Sequence, residues 1–243
     1  MIDPQTIAIL LILFVSTFVT SALGFGIGMI AMPLLALIVD VKTAAPLLAM
    51  VTGTMTGIYL ATHRHEIDFK SVWRLILSSL PGIPIGLLLL KGGNDSVMKA
   101  FLALIIIAFA AYSLFGQTRH TIKSDWPAFG FGFMTGIASG AYNMGGPPLI
   151  IFGALKEWPA STFRATIFSI FFPNSILLVS GHFASGLVTE SVTRYYLMSL
   201  PILIFSIITG GKLTNKIPAD RFNRIIQVCL LIIGSILIIR QFY

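Results

Sequence analysis

The sequence predicts an all-helical, polytopic membrane protein made of two inverted repeats, each a Gly/Pro-broken helical hairpin followed by three membrane helices. Three observations predict it: too little charge for water, apolar runs of membrane-spanning length, and two runs that glycines interrupt in the same way. Of 243 residues, 56% are hydrophobic and 10% charged, with a mean hydropathy of +0.92. Soluble domains carry about 25% charge, so this chain cannot cover a water-facing surface. The one cysteine, Cys229, excludes an internal disulfide framework and a Cys-rich metal centre. The net charge of +7 reads as cationic cytoplasmic loops, and no nucleic-acid partner is expected.

A span needs roughly 20 apolar residues. The runs in order are 5–39, 43–62, 70–91, 97–115, 126–155, 160–184, 193–211 and 222–242, with short polar stretches between them. The first follows Asp3-Pro4 without a basic leader and continues into glycines, so it reads as part of the membrane domain and not as a signal peptide. It is too long for one span: Gly24, Gly26 and Gly28 interrupt it before Pro33. The fifth run repeats this form, with Gly136, Gly140, Gly145 and Gly146 followed by Pro147 and Pro148. Glycine costs about 1 kcal/mol and proline about 3 in a helix interior, so both runs are expected to break. Backbone freed at membrane depth survives only where protein or a wet cavity satisfies it.

The two broken runs superpose. Gly28-Met29-Ile30-Ala31-Met32-Pro33-Leu34 aligns with Asn143-Met144-Gly145-Gly146-Pro147-Pro148-Leu149, and Ser79-Leu80-Pro81 with Ser199-Leu200-Pro201. The chain therefore divides into a first repeat, 1–116, and a second, 117–243, fused into one membrane domain. Charge orients them. If each run crosses once, the 16 cations split seven against nine. If the first and fifth runs turn back at their glycines, they split eleven against five, which puts both termini outside the cytoplasm. Each repeat then crosses an odd number of times, which inverts one repeat relative to the other. Paired broken helices in inverted repeats are an architecture of secondary transporters.

Ser21-Ala22-Leu23-Gly24-Phe25-Gly26-Ile27-Gly28 followed by Pro33-Leu34 resembles the first signature of the TauE/SafE sulfite-exporter family. The stretch Gly136-Ile137-Ala138-Ser139-Gly140-Ala141-Tyr142-Asn143-Met144-Gly145-Gly146-Pro147-Pro148 resembles its second, and Phe163-Arg164-Ala165-Thr166 the segment that follows. The resemblance covers essentially the whole chain. It implies transport of sulfite or sulfonates such as sulfoacetate across the bacterial cytoplasmic (inner) membrane.

Physics supplies a matching mechanism. A helix that restarts after a break near Gly28 or Asn143 offers unpaired N–H groups and the positive end of its dipole, which suits an anion. No acidic or basic residue falls at mid-depth of any run, so neutral groups must hold the substrate. The candidate substrate-binding residues are Ser21, Gly24, Gly26, Gly28, Met29, Thr52, Ser139, Tyr142, Asn143, Met144, Gly145, Gly146 and Asn174. Asn143 either caps its helix or touches the ligand; Ser21 and Ser139 either donate to the anion or pack between helices. Thr54 and Thr56 share the depth of Thr52 and either line the cavity or bond back to their own helix. Arg164 either steers or gates anions or snorkels as an anchor. His182 reads as interfacial, the run His63-Arg64-His65-Glu66 as a solvated loop, and Phe171-Phe172 as core or lipid-facing. No metal or cofactor is expected, and a homodimer is the candidate assembly. An anion channel on the same scaffold is the alternative function. An enzyme is excluded because no nucleophile–base pair or metal-ligand set lies at depth.

Overall fold

A computed structural model describes residues 3–24, 26–62, 69–115, 121–213 and 219–240; the run at 63–66, Phe25, Arg119 and Lys216 lie outside the described residues. Each broken run becomes two helices. The first gives α1 (Pro4–Leu23) and α2 (Ile27–Ala36), followed by α3 (Val41–Thr62), α4 (Phe69–Gly92) and α5 (Asp95–Phe115). The fifth gives α6 (Pro127–Tyr142) and α7 (Gly146–Leu155), followed by α8 (Ala160–Ala184), α9 (Glu190–Leu213) and α10 (Ala219–Ile239). No strand occurs among the described residues. Among the described residues, six helices are long and apolar enough to cross a membrane by length and composition. Large apolar side chains such as Leu11, Leu88, Phe101, Leu104 and Phe205 are more than half exposed on the outer surface, as lipid-facing groups are.

Both hairpins return to the end they left. Helix α1 starts at an Asp3 cap, whose carboxylate accepts from the Thr6 N–H at 2.5 Å, with Pro4 in its first turn. The far end of α2 comes back beside it: the Gln5 amide donates to the Ile38 carbonyl at 2.9 Å, and Arg240 donates to the Leu37 carbonyl at 3.1 Å. The Val41 N–H donates to Asp95 at 2.9 Å, which brings the α4–α5 junction to this same end. In the second hairpin, Lys156 after α7 reaches Asp125 before α6 at 2.6 Å, and Arg74 near the start of α4 meets the other Asp125 oxygen at 3.1 Å. Helix α4 thus connects the two ends.

The packing has a pairwise order. Helix α4 packs most extensively on α6, then α1 on α9, α5 on α10 and α3 on α8. Exchanging the first five helices with the last five turns the α4–α6 pair into α9–α1 and leaves α5–α10 and α3–α8 unchanged. The α4–α6 seam is backbone against backbone. A side chain at Gly82 or Gly86 would run into the α6 main chain at Phe133–Ala141, and one at Gly136 or Gly140 into α4 at Ser79–Leu87. In a bilayer, where apolar side chains gain nothing by leaving lipid, such close small-residue contact drives helix association. Short α2 is buried nearly all round, with Ala31, Met32 and Leu35 fully covered, so it lies inside the bundle.

Candidate functional site

The first break spans Gly24 to Gly26. Gly24 caps α1 at φ 91° and Gly26 precedes α2 at φ 110°; both lie in the left-handed region that glycine enters without steric cost. The sequence placed this break near Gly28, but Gly28 is already inside α2. Its task is close approach: a side chain there would collide with the Asn143 carbonyl and sit 3.3 Å from the Met144 Cα. The two breaks therefore touch. At the second, Asn143 itself turns the chain at φ 51°, with its N–H on the carbonyls of Ala138 and Ser139. Asparagine is among the few non-glycine residues that adopt this conformation readily.

The returning helices differ in what they offer. Ile27, the first residue of α2, lines two neighbouring cavities, so the amino end of α2 opens onto them. Helix α7 begins Gly146-Pro147-Pro148, and two of its first-turn positions carry no N–H at all. The expectation of two equivalent donor-rich helix ends is corrected accordingly: the second hairpin contributes a side-chain amide instead.

That amide belongs to a polar cluster in the middle of the bundle. Asn143 Nδ2 donates to Thr52 Oγ1 at 2.9 Å, and both residues are more than 90% buried. Ser79 Oγ of α4 donates to Asn174 Oδ1 at 2.8 Å. Asn174, 1% exposed, leaves its Nδ2 without a partner. Thr52, Ser139, Asn143 and Asn174 line one cavity, closed by Ile27, Phe171 and Leu178. A second cavity adjoins it across Ile27, Thr52 and Phe171, and reaches Thr20, Gly24 and Gly26. Each is about 10 Å³, at the limit for one water molecule. A third, of about 80 Å³, lies on the other side of Gly26 and Met29, where Gln227 of α10 donates to Ser113 of α5.

Of the expected site residues, Thr52, Ser139, Asn143 and Asn174 come together, with Gly24, Gly26 and Met29 at adjoining cavities. Gly28 seals the contact between the breaks. Gly145 lies against Thr135 and Ser139, and Gly146 against Met29, so both serve close packing. Tyr142 points away and donates to the Met98 carbonyl at 3.0 Å; Met144 is buried in the core. Ser21 lies on the α9 side of α1, its Cβ against the Gly210 backbone position. Thr56 bonds back to the Thr52 carbonyl and also lines the second cavity, while Thr54 lies at the Met50 carbonyl and pairs with the Tyr196 hydroxyl at 2.7 Å. His182, two residues before the end of α8, is fully buried. Phe171, expected as core or lipid-facing, is the partition between the two small cavities. Ser79 is a further member of the cluster, and the only sequence signal for it is its recurrence as Ser199 in the repeat.

Fold and site together define a multi-pass membrane protein whose two broken hairpins meet at a buried, uncharged, donor-bearing cluster. The chain belongs to the sulfite exporter TauE/SafE family, whose family model matches residues 8–237. It is 22% identical over 233 residues to a probable sulfite/organosulfonate exporter TauE of Cupriavidus necator, covering 92% of this chain and 90% of the relative. No solved structure matches.

Proposed function

We propose that this protein is a secondary carrier that moves small sulfur-containing anions, sulfite and short sulfonates such as sulfoacetate, across the bacterial cytoplasmic membrane by alternating access. The observation that carries the reading is the pair of buried amides, Asn143 and Asn174, lining one central cavity beside the amino end of α2. Amide N–H groups are neutral donors that an oxyanion oxygen entering this cavity could accept from. The amino end of α2 adds a partial positive charge beside it, so no ionised group is required at the centre. Family membership and the name of the Cupriavidus relative support sulfur anions as the cargo.

The carrier reading fits the closure of the site. Two cavities of about 10 Å³ cannot pass an anion larger than water, so helices must move before one can pass, and counterflow separates a carrier from a gated channel. The exchange of equivalent helix pairs between residues 1–116 and 117–243 supports two inverted repeats that could rock about a shared site. The cation bias supports both termini outside the cytoplasm.

Purified protein in proteoliposomes should take up labelled sulfite, and unlabelled sulfite on the far side should accelerate that uptake. Asn174→Leu should lower uptake about tenfold or more. Absence of transport across a panel of sulfite and sulfonates would defeat the substrate class; uptake without counterflow acceleration would favour the channel.

A further inference from the structure

Among the described residues, the cations Arg74, Lys99 and Lys156 have a carboxylate, and Arg240 holds the Leu37 carbonyl. Arg164 has neither. It stands near the start of α8, at the end of the bundle that carries Asp125 and Lys156. Its side chain is partly exposed, yet its Nε is buried with no hydrogen-bond partner. A buried donor left without a partner keeps its desolvation cost until an acceptor arrives, and only the Nε of this guanidinium is buried in that way. The place it occupies is specific. Its stem lies on Gly24, where a side chain's Cβ would meet Arg164 Cγ at 2.7 Å and Cδ at 3.0 Å. Gly24 is a wall of the cavity that leads past Phe171 to the Asn143–Asn174 cluster.

We propose that Arg164 is a second anion-binding residue, which captures the sulfur oxyanion at the Gly24 break before it passes Phe171 to the central amides. This rests on the proposed carrier function. A guanidinium presents parallel N–H donors that fit two oxygens of a sulfite or sulfonate group, which an ammonium cannot match. The division of labour has a physical reason. A full charge at the mouth concentrates a dilute anion, while neutral amides at the centre hold it weakly enough to let it leave.

The test uses full-length protein with Cys229→Ser, an exposed position, so that an introduced thiol is alone. Arg164→Gln should raise the KM for sulfite by about tenfold to a hundredfold, the loss expected for charge-assisted hydrogen bonds, with kcat far less changed. Arg164→Lys should fall between. Arg164→Cys should be equally impaired, and a cationic aminoethyl methanethiosulfonate adduct should bring the KM back to the Arg164→Lys level, while a neutral methyl adduct should not. Equal recovery by the neutral adduct, or an Arg164→Gln KM within about twofold of the parent, overturns the assignment. Asn174→Leu runs in parallel. If it abolishes transport while Arg164→Gln is normal, only the Arg164 role fails. If the parent transports no sulfur anion, the carrier reading fails and this inference with it.

Discussion

Asn143 shows how one side chain meets two demands. Its backbone must turn at φ 51°, and its amide must reach Thr52. Asn143→Gly separates the two: the turn is kept and only the amide is lost. We expect Asn143→Gly to cost about 1 kcal/mol or less by thermal unfolding in detergent, yet to lose most sulfite uptake. Asn143→Val fails on both counts, since a β-branched residue is strained in the left-handed region by about 1–3 kcal/mol. Gly24→Ala carries a similar strain and also presses on Arg164; its unfolding midpoint should drop by several degrees and its uptake should fall. Thr52, Asn143 and Asn174 were legible in the sequence because an amide or hydroxyl in an apolar run is conspicuous. Phe171 was not, because one phenylalanine among 19 carries no mark of facing a cavity.

At the level of helices, glycine and proline announced both hairpins, but propensity alone could not say which glycine turns. Gly24, Gly26 and Gly28 cost a helix the same; only the first two have positive φ. The glycines of the second hairpin serve a different purpose from the one read off the sequence. Gly136 and Gly140 do not break α6; they let it lie against Gly82 and Gly86 of α4. That purpose is invisible without knowing the partner helix. Gly136→Leu should therefore do more harm than Gly130→Leu, since a side chain at Gly130 meets open space. Overpacking costs about 1–3 kcal/mol or more, and the first variant should aggregate on size exclusion while the second runs as the parent.

For the molecule as a whole, composition sufficed to place it in a bilayer, and the repeat pattern anticipated five helices per half. Which helices pair was beyond sequence, because α1 meets α9 and α4 meets α6 across the two halves. Orientation is open to direct measurement. With Cys229→Ser, cysteines at Gln5 and Arg194 should label with a membrane-impermeant maleimide from outside intact cells, and one at Lys123 only after lysis. Near Lys123, the Lys156 hydrogen bond, with the charges of Lys156 and Arg74, holds the Asp125 carboxyl below its ordinary 3.8. A depressed carboxylate stabilises the fold above that value and loses the effect as pH falls through its lowered one. Asp125 is more than half exposed, so the effect is small, under about 1 kcal/mol. Asp125→Asn should lower the unfolding midpoint slightly at pH 6, and the difference from the parent should vanish in strong acid.

The cross-half pairing also sets a timetable. Helix α4 waits for only a short stretch of chain before α6 exists, but α1 must wait for α9, roughly 170 residues later. At ordinary synthesis rates of about 5–20 residues per second, that leaves the first hairpin without its partner for roughly 10–30 s. Throughout that interval the side of α1 that α9 will cover, with Ser21 on it, has only lipid or a helper protein to face. The step most exposed to failure in making this protein is thus the custody of its first hairpin, and cells short of insertion factors should lose it to proteolysis before the last helices are made.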